Sequence, residues 1–210
     1  MLDRYLHPRL KPLLNRVAEI VDRPQITPDG ITLVGFAVGV LALPFLALGW
    51  YGAALMAIVV NRLCDGLDGA LARRRGLTDA GGFLDIALDF LFYALVPFGF
   101  VLADPLNNAI AGAWLLFAFI GTGSSFLAFA ALAAKHNIDN PGYAHKSFYY
   151  IGGLTEGSET IALFVLCCLF PAYFSWLAWI FGALCWLTTF NRVWGGYVTL
   201  RACQRHEEKP

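Results

Sequence analysis

Four aspartates stand in a part of this chain where a helix at bilayer depth should carry none. They lie in the window DGLDGALARRRGLTDAGGFLDIALD, residues 65–89, which runs between and into two strongly apolar stretches, 51–63 and 86–103. One unpaired charge at that depth costs about 3 kcal/mol or more. The chain can therefore fold only in a way that brings the four carboxylates together around cations.

Their spacing shows how they can meet. Asp65, Asp68, Gly69, Ala72 and Arg73 stand at i, i+3, i+4, i+7 and i+8, one stripe of a helix, and Gly81, Asp85 and Asp89 stand at i, i+4 and i+8, one stripe of the next. The connection 74–80 is short, which predicts antiparallel neighbours whose stripes face each other. Carboxylates that close cannot all ionise at neutral pH without cations. An all-oxygen donor set suits Mg²⁺ or Mn²⁺ rather than zinc or copper, and four carboxylates have room for two ions. Gly69 and Ala72 leave the helix surface bare beside them, so a diphosphate or a flat base can approach, and Arg73 supplies a planar cation for phosphate oxygens. Capped helix ends would be the purely structural alternative. Caps, however, sit at termini, whereas Asp85 and Asp89 continue one and two turns into an apolar run. Asp79, off the stripe and following Thr78, is expected to N-cap the second helix, and Arg74 and Arg75 to anchor the chain at the membrane surface.

These eight residues match without departure the signature D-x2-D-G-x2-A-R, seven or eight residues, then G-x3-D-x3-D, and so the chain resembles the CDP-alcohol phosphotransferase (CDP-alcohol phosphatidyltransferase) family. From average residue usage, a chance match has a probability of about 10⁻¹⁰ per window. The stretch Thr27-Pro28-Asp29-Gly30-Ile31-Thr32 is similar to a Thr-Pro-Asn-x-x-Thr stretch before the family's first span, with Asp29 in place of Asn. The resemblance implies a homodimeric membrane enzyme of phospholipid biosynthesis that moves a substituted phosphate from a CDP-linked donor to an alcohol and releases CMP. CDP-diacylglycerol and a CDP-amino alcohol are both open as donors. Carried onto this sequence, Asp65, Asp68 and Asp85 become metal ligands. Asp89 is also near a metal and, by its family position, is the general base, while Gly69, Ala72, Arg73 and Gly81 receive the CDP part. The rival class is a divalent-cation transporter with an Asp-lined membrane site. It is weaker, because the cluster lies near one end of its helices and Gly69-x-x-Ala72-Arg73 has no role in moving a bare ion. An intramembrane aspartyl protease needs only one Asp pair.

Composition agrees with a membrane protein: charged residues are 14% of the 210 and the mean hydropathy is +0.61, against about 25% charged in soluble chains. We expect an all-α integral membrane fold of six transmembrane helices at 31–48, 51–71, 82–102, 109–133, 155–170 and 174–194, with Pro44 and Pro97 kinking the first and third. With those spans, all 15 Lys and Arg residues fall on one side or at that side's helix ends, so both termini and the Asp cluster are assigned to the cytoplasmic face, of the inner membrane if bacterial. Residues 1–30 do not read as a signal peptide. Leu6, Leu10, Leu13, Leu14, Val17, Ile20 and Val21 recur at helical spacing, the pattern of an N-terminal amphipathic helix at the membrane interface, limited by Pro8 and Pro12 to its later part. A solvated helix with only a packing role is the alternative. The organisation expected is thus an interfacial segment 1–30, a transmembrane domain 31–196 and a cytoplasmic tail 197–210.

The remaining features are blander. Five cysteines form no C-x2-C pair, and four scattered histidines lack ligand spacing. Small residues such as Gly35, Gly39, Gly112, Gly121 and Gly123 are expected at helix crossings, and Trp50, Tyr51, Tyr173, Trp176 and Trp179 at the external edge. The partners expected are the CDP-linked lipid donor, an alcohol acceptor, membrane lipids and a second copy of the chain, with no nucleic acid. The acceptor pocket is expected around Lys146, Glu156, Glu159 and Arg192. Two acids with few cations there suggest a polyol or an amino alcohol rather than a sugar phosphate. The segment Gly153-Leu154-Thr155-Glu156-Gly157 resembles a Gly-x-Thr-Glu-Gly stretch of choline and ethanolamine phosphotransferases. An internal salt bridge of these acids with Lys146 or Arg192 is the alternative use of the charges.

Overall fold

The computed structural model describes residues 3–136 and 154–207, and these are helical throughout apart from short turns. In chain order the helices are α1 (Asp3–Val21), α2 (Pro28–Val40), α3 (Ala42–Ala47), α4 (Tyr51–Arg75), α5 (Asp79–Ala103), α6 (Pro105–Lys135), α7 (Gly157–Leu169) and α8 (Phe174–Glu207). Four segments are long and apolar enough to cross a membrane: Pro28–Ala47, Asp79–Ala103, Pro105–Lys135 and Pro171–Cys203. The other two spans expected from the sequence differ for physical reasons. α4 has the length but carries Arg62, Asp65, Asp68 and Arg73–Arg75. α7 has 13 residues, about 20 Å, less than a hydrocarbon core.

The prolines act unequally. Pro44 lacks the N–H that would bond the carbonyl of Val40, and the first span breaks at Leu41 into α2 and α3. α5 runs on past Pro97. α1 likewise begins at Asp3 and continues through Pro8 and Pro12, earlier than expected. Those two prolines stand four residues apart, so both lost backbone bonds fall on one face of the helix.

The apolar core gathers Leu46, Ile58, Phe92, Val96, Phe100, Leu115, Phe164 and Phe174. Phe100 stacks on Phe174 with ring centroids 4.6 Å apart. Most of this packing lies toward the ends of α4 and α5 remote from the acidic window. Glycines set the closest crossings: a Cβ on Gly35 would come 2.5 Å from Cys64 Cβ, and one on Gly39 would come 2.9 Å from Asn61 Nδ2, so α2 can lie against α4 only with no side chain there.

α6 and α8 run parallel and pack along their length. Ser175 Oγ donates to the Asn107 carbonyl at 2.7 Å near their starts. Further along, Trp114 Nε1 donates to the Trp179 carbonyl at 3.2 Å. Close to their far ends, a Cβ on Gly196 would meet Phe129 at 2.9 Å.

Candidate active site

The turn between α4 and α5 is built from local chemistry. Gly76 takes φ +105°, which an L side chain rarely adopts, and its N–H bonds the Ala72 carbonyl at 2.9 Å. Thr78 is then the N-cap of α5, accepting from the Gly81 N–H at 3.1 Å. This corrects the expectation for Asp79, which is already inside the first turn, where its negative charge complements the helix dipole. The α2 start is made the same way: Thr27 caps Gly30 N at 3.1 Å and Pro28 occupies the first turn.

α4 and α5 do not pack side by side, as the short connection suggested. α2 packs against both, and their own close backbone contact is slight. The space left between them is filled by the acidic side chains. One oxygen from each of Asp65, Asp68 and Asp85 lies within 4.8 Å of the others. Asp68 is only 5% exposed and accepts a hydrogen bond from Thr32 Oγ1 at 2.5 Å. Three carboxylate oxygens at this spacing, with no nitrogen or sulfur donor among them, fit a hard divalent cation such as Mg²⁺ or Mn²⁺.

Asp89 stands outside this trio. Its Oδ1 accepts from Arg62 Nη2 at 2.7 Å. Arg62 Nη1 is 3.7 Å from Asp65, and its Nε and Nη2 donate to Asn61 Oδ1 at 2.9 and 2.6 Å. The guanidinium lies over the rings of Phe92 and Tyr93 at 4.8 and 5.5 Å. Asn61 is buried and donates to the Gly35 carbonyl at 3.0 Å. Thr32, Asn61 and Arg62 were not recognised from the sequence as part of the site. Arg62 had a signal: it precedes Asp65 by one turn and extends the same stripe, in the interior of α4 rather than at its end.

Two cavities flank the carboxylates. The first, about 560 Å³, is lined by Gly69, Ala72, Arg73 and Gly81, all four residues expected to receive CDP, together with Asp29, Thr32, Asp68 and Asp85. Gly81 is required here, because a Cβ would sit 2.9 Å from Thr78 Oγ1 and 3.0 Å from Asp29 Oδ1. The second, about 400 Å³, is lined by Asp89, Phe90, Tyr93, Phe126, Glu156 and Arg192, among others. A narrow polar pocket joins the two groups of residues. It shares Thr32, Asp68 and Asp85 with the first cavity and Asp89 with the second. Both cavities have the size of ordinary small-molecule sites.

The acceptor residues expected from the sequence separate. Glu156 and Arg192 line the second cavity. Glu159 instead completes a capping box at the start of α7, its Oε2 accepting from the Glu156 N–H at 3.2 Å. Lys146 and Gly153 lie outside the described residues. The box is reciprocal, the Glu156 side chain accepting from the Glu159 N–H, and with both acids engaged by the backbone and Arg192 on the cavity wall the charge argument against a phosphate-bearing acceptor no longer holds. Arg192 also donates to the Thr122 carbonyl at 3.2 Å and lies over Phe126 at 5.6 Å.

Arg74 and Arg75 also have protein partners rather than serving only as surface anchors. Arg74 pairs with Glu19 at 3.0 Å, and Arg75 with Asp22 at 2.6 Å and with the Arg23 carbonyl at 2.7 Å. The Arg75 hydrogen bond holds the Asp22 carboxyl below its usual range, so this tie between α1 and α4 is intact at neutral pH and is lost only as pH falls through that depressed value.

The chain is similar to several known proteins. The sequence profile of the CDP-alcohol phosphatidyltransferase family matches residues 25–194. The inner membrane protein YnjF of Escherichia coli is 80% identical over 205 residues, covering 98% of this chain and all of that one. The archaetidylinositol phosphate synthase of Pyrococcus horikoshii is 28% identical over 190 residues, covering 90% of this chain and 93% of that one. Among solved structures, the phosphatidylinositol phosphate synthase of Mycobacterium tuberculosis with CDP-DAG bound superposes with a TM-score of 0.60 at 20% identity, covering 89% of this chain and 94% of that one. The same synthase has also been solved in complex with manganese and citrate. At that identity the likeness establishes the shared fold.

Proposed function

Because the chain belongs to the CDP-alcohol phosphatidyltransferase family, we propose that it transfers the phosphatidyl group of CDP-diacylglycerol to an alcohol and releases CMP, a step of phospholipid biosynthesis. The observation that carries this reading is the order of three adjoining spaces: the cavity of Gly69, Ala72, Arg73 and Gly81, the carboxylate pocket, and the cavity of Glu156 and Arg192. A donor nucleotide in the first and an alcohol in the second would present the reacting phosphorus between them, at the carboxylates. A transporter site for a bare ion gives no use for either cavity, and the family match sets that alternative aside.

In this reading Gly69 and Ala72 let the nucleotide lie against α4, and Arg73 binds its phosphate oxygens. Asp65, Asp68 and Asp85 hold Mg²⁺ or Mn²⁺, with Asp89 at the edge of that site, and four acidic groups have room for two ions. When bound, such ions supply neutralisation of the diphosphate charge. Asp89, which lines both the carboxylate pocket and the second cavity, accepts the proton of the alcohol as its oxygen bonds to phosphorus in line with the departing CMP oxygen. The product is a phospholipid that never leaves the bilayer.

The same reading takes α4 and α7 as the fifth and sixth crossings, their charges and short length tolerated because they face protein or the site. It places both termini and the site at the cytoplasmic face. It lays α1 at the interface, with Leu13 and Ile20 exposed toward lipid, and pairs the chain with a second copy as a homodimer.

The test is a panel of labelled alcohols offered with CDP-diacylglycerol to the purified protein. One labelled lipid should form with stoichiometric CMP, and no CMP release with any alcohol overturns the proposal. On the acceptor side the two glutamates should part company. Glu156→Gln should raise the acceptor KM and spare donor affinity. Glu159→Ala should leave that KM unchanged and cost about 1 kcal/mol of stability through the lost cap, seen as a lower Tm. Equal KM changes in both variants would contradict the capping assignment.

A further inference from the structure

We propose that Arg62 is a positioning residue for the transfer, holding the Asp89 carboxylate at the wall of the second cavity so that it faces the incoming hydroxyl. The inference rests on the transferase reading above. A base must be fixed to within a fraction of an ångström, yet Asp89 stands one helical turn from Asp85 and beside a cluster built to attract divalent cations. Left alone, its carboxylate would swing toward those cations. Arg62 supplies the opposing pull, with a bond to Asp89 Oδ1 at 2.7 Å.

The guanidinium can do this because it cannot itself move. Its side chain is 15% exposed. Nε and Nη2 are both anchored on Asn61 Oδ1, and two aromatic rings cover it. Asn61 is in turn tied to the Gly35 carbonyl and wedged against Gly39. The chain of support therefore runs from the α2–α4 crossing through Asn61 and Arg62 to Asp89. A lysine at 62 could reach Asp89 but would lack the planar fork that grips Asn61 and the flat face that stacks on the rings. Arg62 does not line the donor cavity, and its one approach to the metal ligands is the 3.7 Å pair with Asp65, longer than its bond to Asp89, so its effect should fall mainly on turnover.

The experiment is a double-mutant cycle on the full-length protein with R62Q, R62K, D89N and R62Q/D89N, reading kcat, acceptor KM, CDP-diacylglycerol affinity, Mn²⁺ binding and Tm. R62Q should lower kcat by about 10²-fold, as expected for a base displaced by about 1 Å, with donor affinity unchanged and Mn²⁺ binding no weaker, since the change removes a positive charge beside Asp65. R62K should recover only part of that loss. The double variant should turn over no more slowly than D89N alone, because Arg62 acts through Asp89. A further loss in the D89N background, or wild-type kcat in R62Q, overturns the proposal. So does a loss of Mn²⁺ binding or donor affinity in both Arg62 variants, which would mark a structural role. The Tm values test the pair without reference to turnover: additive shifts mean no pairing and sink the inference by themselves. If the shifts are coupled but the wild type releases no CMP, it is the transferase reading that has failed, and the positioning role falls with it.

Discussion

Exchange of Asp89 for asparagine is expected to lower turnover by about 10²–10⁴-fold and to leave the affinity for CDP-diacylglycerol unchanged. Asparagine has the shape of aspartate and can still accept the Arg62 hydrogen bond through its amide oxygen, so the geometry of the wall survives. What it loses is basicity. The donor cavity is formed by other residues, among them Gly69, Ala72, Arg73 and Gly81, and Asp89 is not part of its lining. Binding of the nucleotide, measured by titration calorimetry on the purified variant, should therefore match the wild type while CMP release nearly stops. Near-normal turnover would remove Asp89 from the chemistry and with it the link between the carboxylate pocket and the second cavity.

Removal of the divalent cation should abolish both activity and nucleotide binding, a different signature from that of Asp89→Asn. Asp68 and Asp85 line the donor cavity as well as the narrow pocket, so the charge that a diphosphate meets there depends on what these carboxylates hold. With a cation present they stabilise it, and without one they repel it. Excess chelator should bring turnover to background, and Mg²⁺ or Mn²⁺ should restore it. Asp68→Ala should be the most damaging single change, because it removes the most buried ligand and its tie to Thr32, whose hydroxyl keeps only the Pro28 carbonyl. Its Mn²⁺ and CDP-diacylglycerol affinities should fall together. Full activity in chelator, or loss of one affinity without the other, would contradict a shared site.

The ligands of the site were legible because their information is local. Asp65, Asp68 and Asp85 repeat at helical spacing on two helices joined by three residues, and that periodicity puts them on one stripe of each helix. What surrounds them depends on tertiary packing. The insertion of α2 beside both helices follows from Gly35 and Gly39 meeting Cys64 and Asn61, a fit that no single segment announces. Arg62 was hidden by the rule that orients the chain, which treats every arginine as a surface charge. Its stripe position was the better guide. Asp79 and Thr78 are both good caps, and the choice between them is made by which one retains extended backbone, φ −122° at Thr78. The spacing of Glu156 and Glu159 was that of a capping box all along. A glutamate at the cap position is uncommon, which is why the same spacing also suggests a pair of ligands.

The parallel pair α6 and α8 begins flush, with Ser175 bonded to Asn107, yet the helices run for 31 and 34 residues, about 46 and 51 Å. A hydrocarbon core is about 30 Å thick. In the proposed orientation, with both helices starting together at the membrane edge remote from the carboxylates, the surplus length would emerge on the side of Asp89 and Glu156. Gly196 and Phe129 are still in contact in that surplus. Under the proposed function the second cavity would then open beneath a two-helix parapet standing in water, while the lipid tails of the donor would stay in the oil. The two proposed substrates would arrive from different phases. Selectivity for an alcohol would then be set partly by partitioning, since a hydrophilic head group reaches the parapet freely and a membrane-dissolved alcohol does not.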